Sequence, residues 1–583
     1  MKTEVRFLLA IFLMLGVLVG TNLLFPPIPP EELPLDSLGA GPAVGGPSSA
    51  DPTGTGDGAA GAPVPEIPTS SAPRLPSVGA AAPVELPTDP AALREYRITV
   101  EGPLYRYEFS NYGARLMSAQ MSEFEALNRE GLVDLVKKGS GGYMGQKLLV
   151  GSDTVDLSGV PFTVEPSNGL TMSSRSGART LRFVYEHPTS PFTFVLEYEF
   201  NPDEYTVGVR GTVESGLERP LLLTDLGEGL AYSEADSVGE SRTMAYVTNN
   251  VQEGIQSTLL GKAEPTIVEG PLLWAAFKSK FFVMALLAGE SDEAATEARY
   301  LGGVIVQPTE TEGVVRVASA QPLSNDGSFA YRVFLGPQEY ALLSSLGQGM
   351  EEVNPYGWKF FQPMVRPIVS VIMTIFVYLH TKLSVGYGWV LVIFGVMMRV
   401  VLFPLNHKAM KAQLRNMAVQ PLLKEIQTKY KDQPEKLQKE MMRLYKEHGF
   451  NPLAGCLPML LPWPVLIALF FVFQNTIELR GEQFLWLPDL SAPDPIYLLP
   501  VFLGLSMFLM QYVSYKSLDT PNPQMKMMMY LMPIMMVFIF FRLASGLNLY
   551  YSVANIATIP QQVWIARERL KMKGKPPLKM KSE

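Results

Sequence analysis

Hydrophobic positions along this chain follow two different periods. Between residues 96 and 346 they alternate with polar ones in short runs bounded by turn residues: YRITV, LRFVYEH, FTFVLEYEF, YTVGVRGTV, FFVMALLA, GVVRVAS and YRVFLG. Period two, carried by β-branched and aromatic side chains, predicts strands, and a series of short strands predicts two packed sheets. From residue 363 onward the pattern changes to long apolar runs, at 363–380, 388–405, 455–474, 496–512, 527–541 and 547–564, and another stands at 7–25 behind Lys2 and Arg6. Most are long enough for a helix to cross hydrocarbon, while 388–405 and 527–541 are short for it and predict a thinned bilayer beside them.

Charge at the ends of these runs sets a topology. The run at 7–25 is long for a signal peptide and lacks an A-x-A cleavage site, so it reads as an uncleaved anchor with its positive flank inside. Residues 26–92 are rich in Pro, Gly, Ala and Ser and read as a disordered tether to an extracytoplasmic β domain at 93–350. If 363–380 crossed, the basic segment 407–448, with ten Lys/Arg against five Asp/Glu, would fall outside, as would the basic tail. Segment 351–386 is therefore expected to lie along the outer interface, with Trp358, Lys359, Arg366 and Lys382 at head-group level. The five later runs, within a core at 387–566, and the anchor then give six spans and return the tail at 567–583 to the inner side.

Segment 407–450 predicts a helical hairpin on that side. Met410, Leu414, Met417, Leu423, Ile426 and Tyr430 form one stripe at helical spacing, and Leu437, Met441, Leu444 and Tyr445 form a second. Between them Asp432-Gln433-Pro434-Glu435 has the order of a capped helix start. The remaining faces are basic, which suits a solvated face, anionic lipid, or a partner such as ribosomal RNA.

One residue breaks the apolar pattern. Arg399 lies inside GWVLVIFGVMMRVVLFPL, and burying its cation costs about 3 kcal/mol on insertion scales, with no carboxylate inside any other run to neutralise it. It either snorkels to the nearer head groups or lines a hydrated cavity. Asn548, Ser552, Asn555 and Thr558 in the last run face the same cavity or hydrogen-bond between helices. The methionines at 525, 527–529, 532, 535 and 536 are either an adaptable apolar surface or lipid-facing filler.

Composition narrows the class. The chain has 583 residues, 47% of them hydrophobic, and a formal net charge of −8 that averages basic inner segments with an acidic remainder. A single cysteine, Cys456, excludes an intrachain disulfide. An intramembrane hydrolase needs an Asp pair, a Ser with His or a metal site, and a proton-coupled transporter needs membrane carboxylates; the five core runs hold no Asp, Glu or His. His187 stands alone in the β domain, which reads as a structural or docking domain, with a sugar-binding or enzymatic sandwich as the alternative. No catalytic residue, metal site or cofactor is expected.

The stretches MMRVVLFPLNHKAMK, QPLLKEIQTKYKDQPEKLQKEMMRLYKEHGFNPLAGCLPMLLPWPV, IELR, DLSAPDPIYLLP and SGLNLYYSVANI resemble the YidC family of membrane protein insertases, which includes the mitochondrial Oxa and chloroplast Albino relatives. SNYGARL, WAAFKSKFFVMALLA and FLGPQEY resemble the periplasmic domain of Gram-negative members. The resemblance implies a polytopic α-helical membrane protein of the bacterial inner membrane with a periplasmic β-supersandwich domain. It implies five core helices around a groove open to the cytoplasm, lined by Arg399, Asn548, Ser552 and Asn555. It further implies a hydrophobic slide on the third and fifth core helices, with Met459, Trp463, Tyr550 and Tyr551 near the substrate. A hairpin docking surface would comprise Lys408, Lys411, Arg415, Lys424, Lys436, Lys439 and Arg443. Implied partners are nascent membrane proteins, the SecYEG translocon with SecDF, the ribosome, the signal recognition particle receptor and anionic lipid. Pro462-Trp463-Pro464 and a short tail depart from the family pattern.

Overall fold

The computed structural model describes residues 81–82 and 94–572, except 129–130, 151–152, 215–219, 290–299, 310–313, 355–361, 431–432, 448–462 and 517–522. The anchor at 7–25, Trp358, Lys359, Met459 and the last eleven residues of the tail lie outside the described residues.

The β domain is a sandwich. A 15-stranded sheet carries Thr193–Phe200, Thr206–Glu214, Ser328–Pro337, Phe282–Ala288 and Thr266–Lys278 as successive antiparallel neighbours. A five-stranded sheet built around Arg97–Glu101, Tyr105–Ser110 and Leu116–Glu125 packs on it. In Thr193–Phe200 the alternation of the sequence becomes geometry: Phe194, Leu196, Tyr198 and Phe200 point into the core, and the residues between them are half-exposed. Phe109 of the smaller sheet closes the gap, its ring 4.9 Å from Tyr198 and 6.0 Å from Phe183.

Two strands differ from the sequence expectation. Phe282–Ala288 is buried along its whole length, because it is central in the large sheet and covered on both faces. Ala81–Ala82, inside the stretch expected to be a disordered tether, pairs in parallel with Asp153–Asp156. A two-residue edge pairing of this kind needs only backbone groups, so a Pro/Ala-rich composition does not forbid it.

Two short helices, α1 (Ser237–Ser241) and α2 (Tyr340–Ser345), belong to the β domain. The second half contributes α3 (Gln362–Leu383), α4 (Tyr387–Lys429), α5 (Pro434–Glu447), α6 (Trp463–Asn475), α7 (Leu498–Lys516), α8 (Pro523–Phe540) and α9 (Ser545–Met572). Helix α9 packs on α7 and α4, α8 on α7, and α3 on α6 and α4. Among the described residues Gln362–Leu383 and Tyr387–Pro404 have the length and apolarity of a membrane span, and three shorter helices are also apolar. Helix α3 buries Val365, Val369, Ile372, Met373 and Phe376 against this bundle and exposes Met364, Val371 and Tyr378.

The sequence reading ends a span at residue 405 and opens a separate hairpin at 407. The backbone instead runs through both as one 43-residue helix, α4, about 65 Å long. A change from apolar to basic side chains alters what surrounds a helix without interrupting its hydrogen-bond ladder. At its far end Leu422 and Ile426 pack on Leu444 of α5, with Tyr430, Leu437 and Met441 around them. The side chain of Leu423 lies outside the described residues.

Candidate functional site: a buried cation in an apolar helix

Helix α4 begins under a capping contact. The Tyr387 N–H donates to Glu482 Oε1 at 2.9 Å, which satisfies one of the free amides at the helix start. From there Val390, Leu391, Phe394 and Gly395 face the bundle, whereas Val396, Val400, Val401 and Phe403 are exposed. A Cβ built on Gly395 would lie 3.2 Å from Val553 and 3.6 Å from the Tyr550 ring, so the missing side chain lets α4 and α9 approach closely.

Arg399 is one turn further along the same face, about 18 Å from the helix start, and is half-buried. Among the described residues, the titratable groups near enough to act on its guanidinium are the phenols of Tyr550 and Tyr551 on α9. Among the described residues it forms no ion pair. Tyr550 stacks obliquely on Phe394 (5.8 Å) and Phe473 (6.1 Å), and Tyr551 meets Phe540 edge-on at 5.3 Å. The structure therefore unites Arg399 with Tyr550 and Tyr551, which the sequence reading divides between groove and slide.

Asn548, Ser552 and Asn555 form an i, i+4, i+7 stripe that is 0, 1 and 9% exposed. Asn548 Nδ2 donates to the Phe540 carbonyl at 3.2 Å, Ser552 Oγ to the Asn548 carbonyl at 2.8 Å, and Asn555 Nδ2 to Ser506 Oγ of α7 at 3.2 Å. These bonds tie α9 to itself, to the end of α8 and to α7. Of the two readings open in the sequence they match helix-to-helix bonding, with one exception: Asn548 Oδ1 is buried without a partner among the described residues.

The other expected residues divide as follows. Lys436, Lys439 and Arg443 are exposed on α5. Lys408, Lys411, Arg415 and Lys424 lie on the backbone of α4 and Trp463 opens α6, but their side chains are outside the described residues. The methionine run is split within α8, Met529 being buried and Met527 exposed. His187 closes a turn, its Nδ1 accepting from the Thr189 and Ser190 amides. Sequence reasoning used IELR and DLSAPDPIYLLP of the loop between α6 and α7 for the resemblance but gave its residues no role. There Asp494 accepts from the Ile496 and Leu499 amides at 3.1 and 2.7 Å, and the half-buried Glu478 accepts from the Tyr340 amide of the β domain.

A β-sandwich joined to a bundle of apolar helices, two of them with the length and apolarity of a membrane span, fits a membrane protein with an extramembrane domain. Comparison with known proteins makes this specific. A family model described as "60Kd inner membrane protein" matches residues 376–573, and one described as "YidC periplasmic domain" matches residues 97–371. Membrane protein insertase YidC of Chlorobaculum tepidum is 30% identical over 534 residues, covering 87% of each chain. That of Chlorobium luteolum is 31% identical over 513 residues, covering 82% of this chain and 83% of its own. A crystal structure of an active YidC insertase with its first transmembrane domain resolved aligns over 80% of this chain and 92% of its own, at 20% identity and a TM-score of 0.33. The chain belongs to the YidC family of membrane protein insertases. It is an insertase of the inner membrane with a periplasmic β-sandwich domain, and its role is not enzymatic.

Proposed function

We propose that Arg399 makes a wet, positively charged groove that receives the polar outer tail of a nascent membrane protein, while its apolar segment slides into lipid beside α6 and α9. The observation that carries this reading is the placement of Arg399: three turns into an apolar helix, half-buried, within electrostatic reach of two tyrosines, and without an ion pair among the described residues. A cation so placed lowers the cost of bringing polar groups partway across and attracts acidic residues of the tail. Asn548, Ser552 and Asn555 keep a groove role chiefly by holding α9, and Met459, Trp463, Tyr550 and Tyr551 form the slide. Hydrophobic partitioning, helped by the membrane potential acting on negative charge, drives release.

The same reading gives six spans with both termini cytoplasmic, α3 along the outer interface, and α5 with the distal half of α4 as a cytoplasmic hairpin. Its Lys408, Lys411, Arg415, Lys424, Lys436, Lys439 and Arg443 dock the ribosome, the signal recognition particle receptor or anionic lipid, and SecYEG with SecDF hands over larger clients.

The test is insertion of a short single-span client with an acidic outer tail into proteoliposomes. Arg399→Ala is expected to lose most insertion and Arg399→Lys to keep it. Equal insertion by all three folded proteins would place the work in the slide or the hairpin instead.

A further inference from the structure

The loop between α6 and α7 touches both halves of the protein within six residues. Ile477 is buried in the hydrophobic core of the β domain, not in that of the bundle. Arg480 Nε pairs with Glu234 Oε1 at 2.8 Å, with the two side chains only 4 and 7% exposed. The same guanidinium donates to the Glu125 carbonyl at 2.9 Å and lies 5.4 Å from the centre of the Phe282 ring. The Tyr340 amide donates to Glu478 Oε1 at 3.4 Å. Two residues after Arg480, Glu482 caps the first turn of the helix that carries Arg399. The fit there is tight on both sides: a Cβ on Gly386 would meet the Glu482 carboxylate, and one on Gly388 would overlap the Phe484 ring. Trp389 of α4 meets Phe484 edge-on at 5.4 Å.

We propose that Ile477–Glu482 is a strap through which the periplasmic domain fixes the outer end of α4 and so positions Arg399. Arg480 and Glu234 anchor the strap to the sandwich, and Glu482 is a positioning residue that acts on Arg399 through the helix start. Helix α4 is continuous from this contact past Arg399 to the packing against α5. A displacement of its outer end therefore moves the cation along with the rest of the rod. The buried pair suits this task because a guanidinium and a carboxylate removed from water tolerate little change in geometry.

The strap rests on the Arg399 reading for its consequence, but its mechanics can be measured separately. Spin labels on cysteines replacing the exposed Val238 of the sandwich and the exposed Val396 of α4, in a Cys456→Ala background, report the distance between the two halves in proteoliposomes. The unsubstituted strap is expected to give one narrow distribution. Arg480→Ala, Glu234→Gln and Glu482→Ala should each broaden it and slow client insertion by about tenfold, the scale of one coupled contact. The exchange Arg480→Glu with Glu234→Arg should restore both readouts if the pair acts as a pair, and it guards against a single variant that fails to fold. An unchanged distribution in all three single variants would overturn the strap. A broadened distribution with unchanged insertion would overturn its role in positioning. Arg399→Ala, measured alongside, distinguishes failure of the cation reading, which would leave insertion intact while the strap variants still broaden the distance.

Discussion

Single residues set the local geometry on which the bundle depends, and Asp494 illustrates how. It is 1% exposed, and its two oxygens accept from the Ile496 and Leu499 amides and from the Trp486 indole. These bonds hold a turn in which Tyr497 has φ of +57°, a conformation bulky side chains rarely adopt, and they satisfy amides at the start of α7. Asp494→Ala leaves the buried Leu499 amide unpaired and is expected to cost about 1–3 kcal/mol. Asp494→Asn keeps one acceptor and should lose less. Thermal unfolding in detergent, followed by tryptophan fluorescence with Trp486 beside the site, measures both; equal stability of all three proteins would show that the turn holds without its carboxylate.

Elements divide into those legible in the sequence and those hidden from it. Strands such as Thr193–Phe200 were legible because alternate residues must face core or water, and the burial pattern repeats the sequence pattern position by position. Arg399 was legible because a lone cation in an apolar run has no ordinary explanation. The continuity of α4 was not, since side-chain polarity reports surroundings and α4 crosses from one environment to another. Nor could spacing reveal the Arg480–Glu234 pair, whose members are 246 positions apart and look like ordinary surface charges. The close approach of α4 and α9 at Gly395 lies between these cases: a glycine in an apolar run is visible, but what it faces is not. Gly395→Leu drives a branched side chain into Val553 and should cost about 1–3 kcal/mol by overpacking, and it should weaken insertion by moving Arg399 away from Tyr550. Gly395→Ala asks the neighbours to give only a few tenths of an ångström and should retain most activity. If the leucine variant inserted clients as well as the alanine variant, close packing of α4 on α9 would not matter to the site.

At the scale of the whole molecule, the two halves meet around a carboxyl that titrates near neutrality. Burial raises Glu478 from the ordinary glutamate value of 4.5 to about 7, the neighbouring Glu339 carboxylate adds to the rise, and its own amide and that of Tyr340 oppose it. Glu339 is itself raised by burial and by Glu123, so both acids favour the protonated form when sandwich and bundle are docked. Because the folded value lies above the unfolded one, the docked state binds the extra proton. Its contribution is complete below about pH 4.5 and is lost as pH rises through about 7. Docking of the periplasmic domain on the bundle should therefore be tighter at pH 5.5 than at pH 8.5, and Glu478→Gln, which stays neutral throughout, should remove most of that difference and hold the tighter state. The Val238–Val396 distance distribution, recorded across this range, provides the measurement. A distribution that broadens with pH in the native protein but not in Glu478→Gln would make the periplasmic proton concentration a control on how firmly the Arg399 helix is held; a distribution independent of pH in both would confine Glu478 to packing.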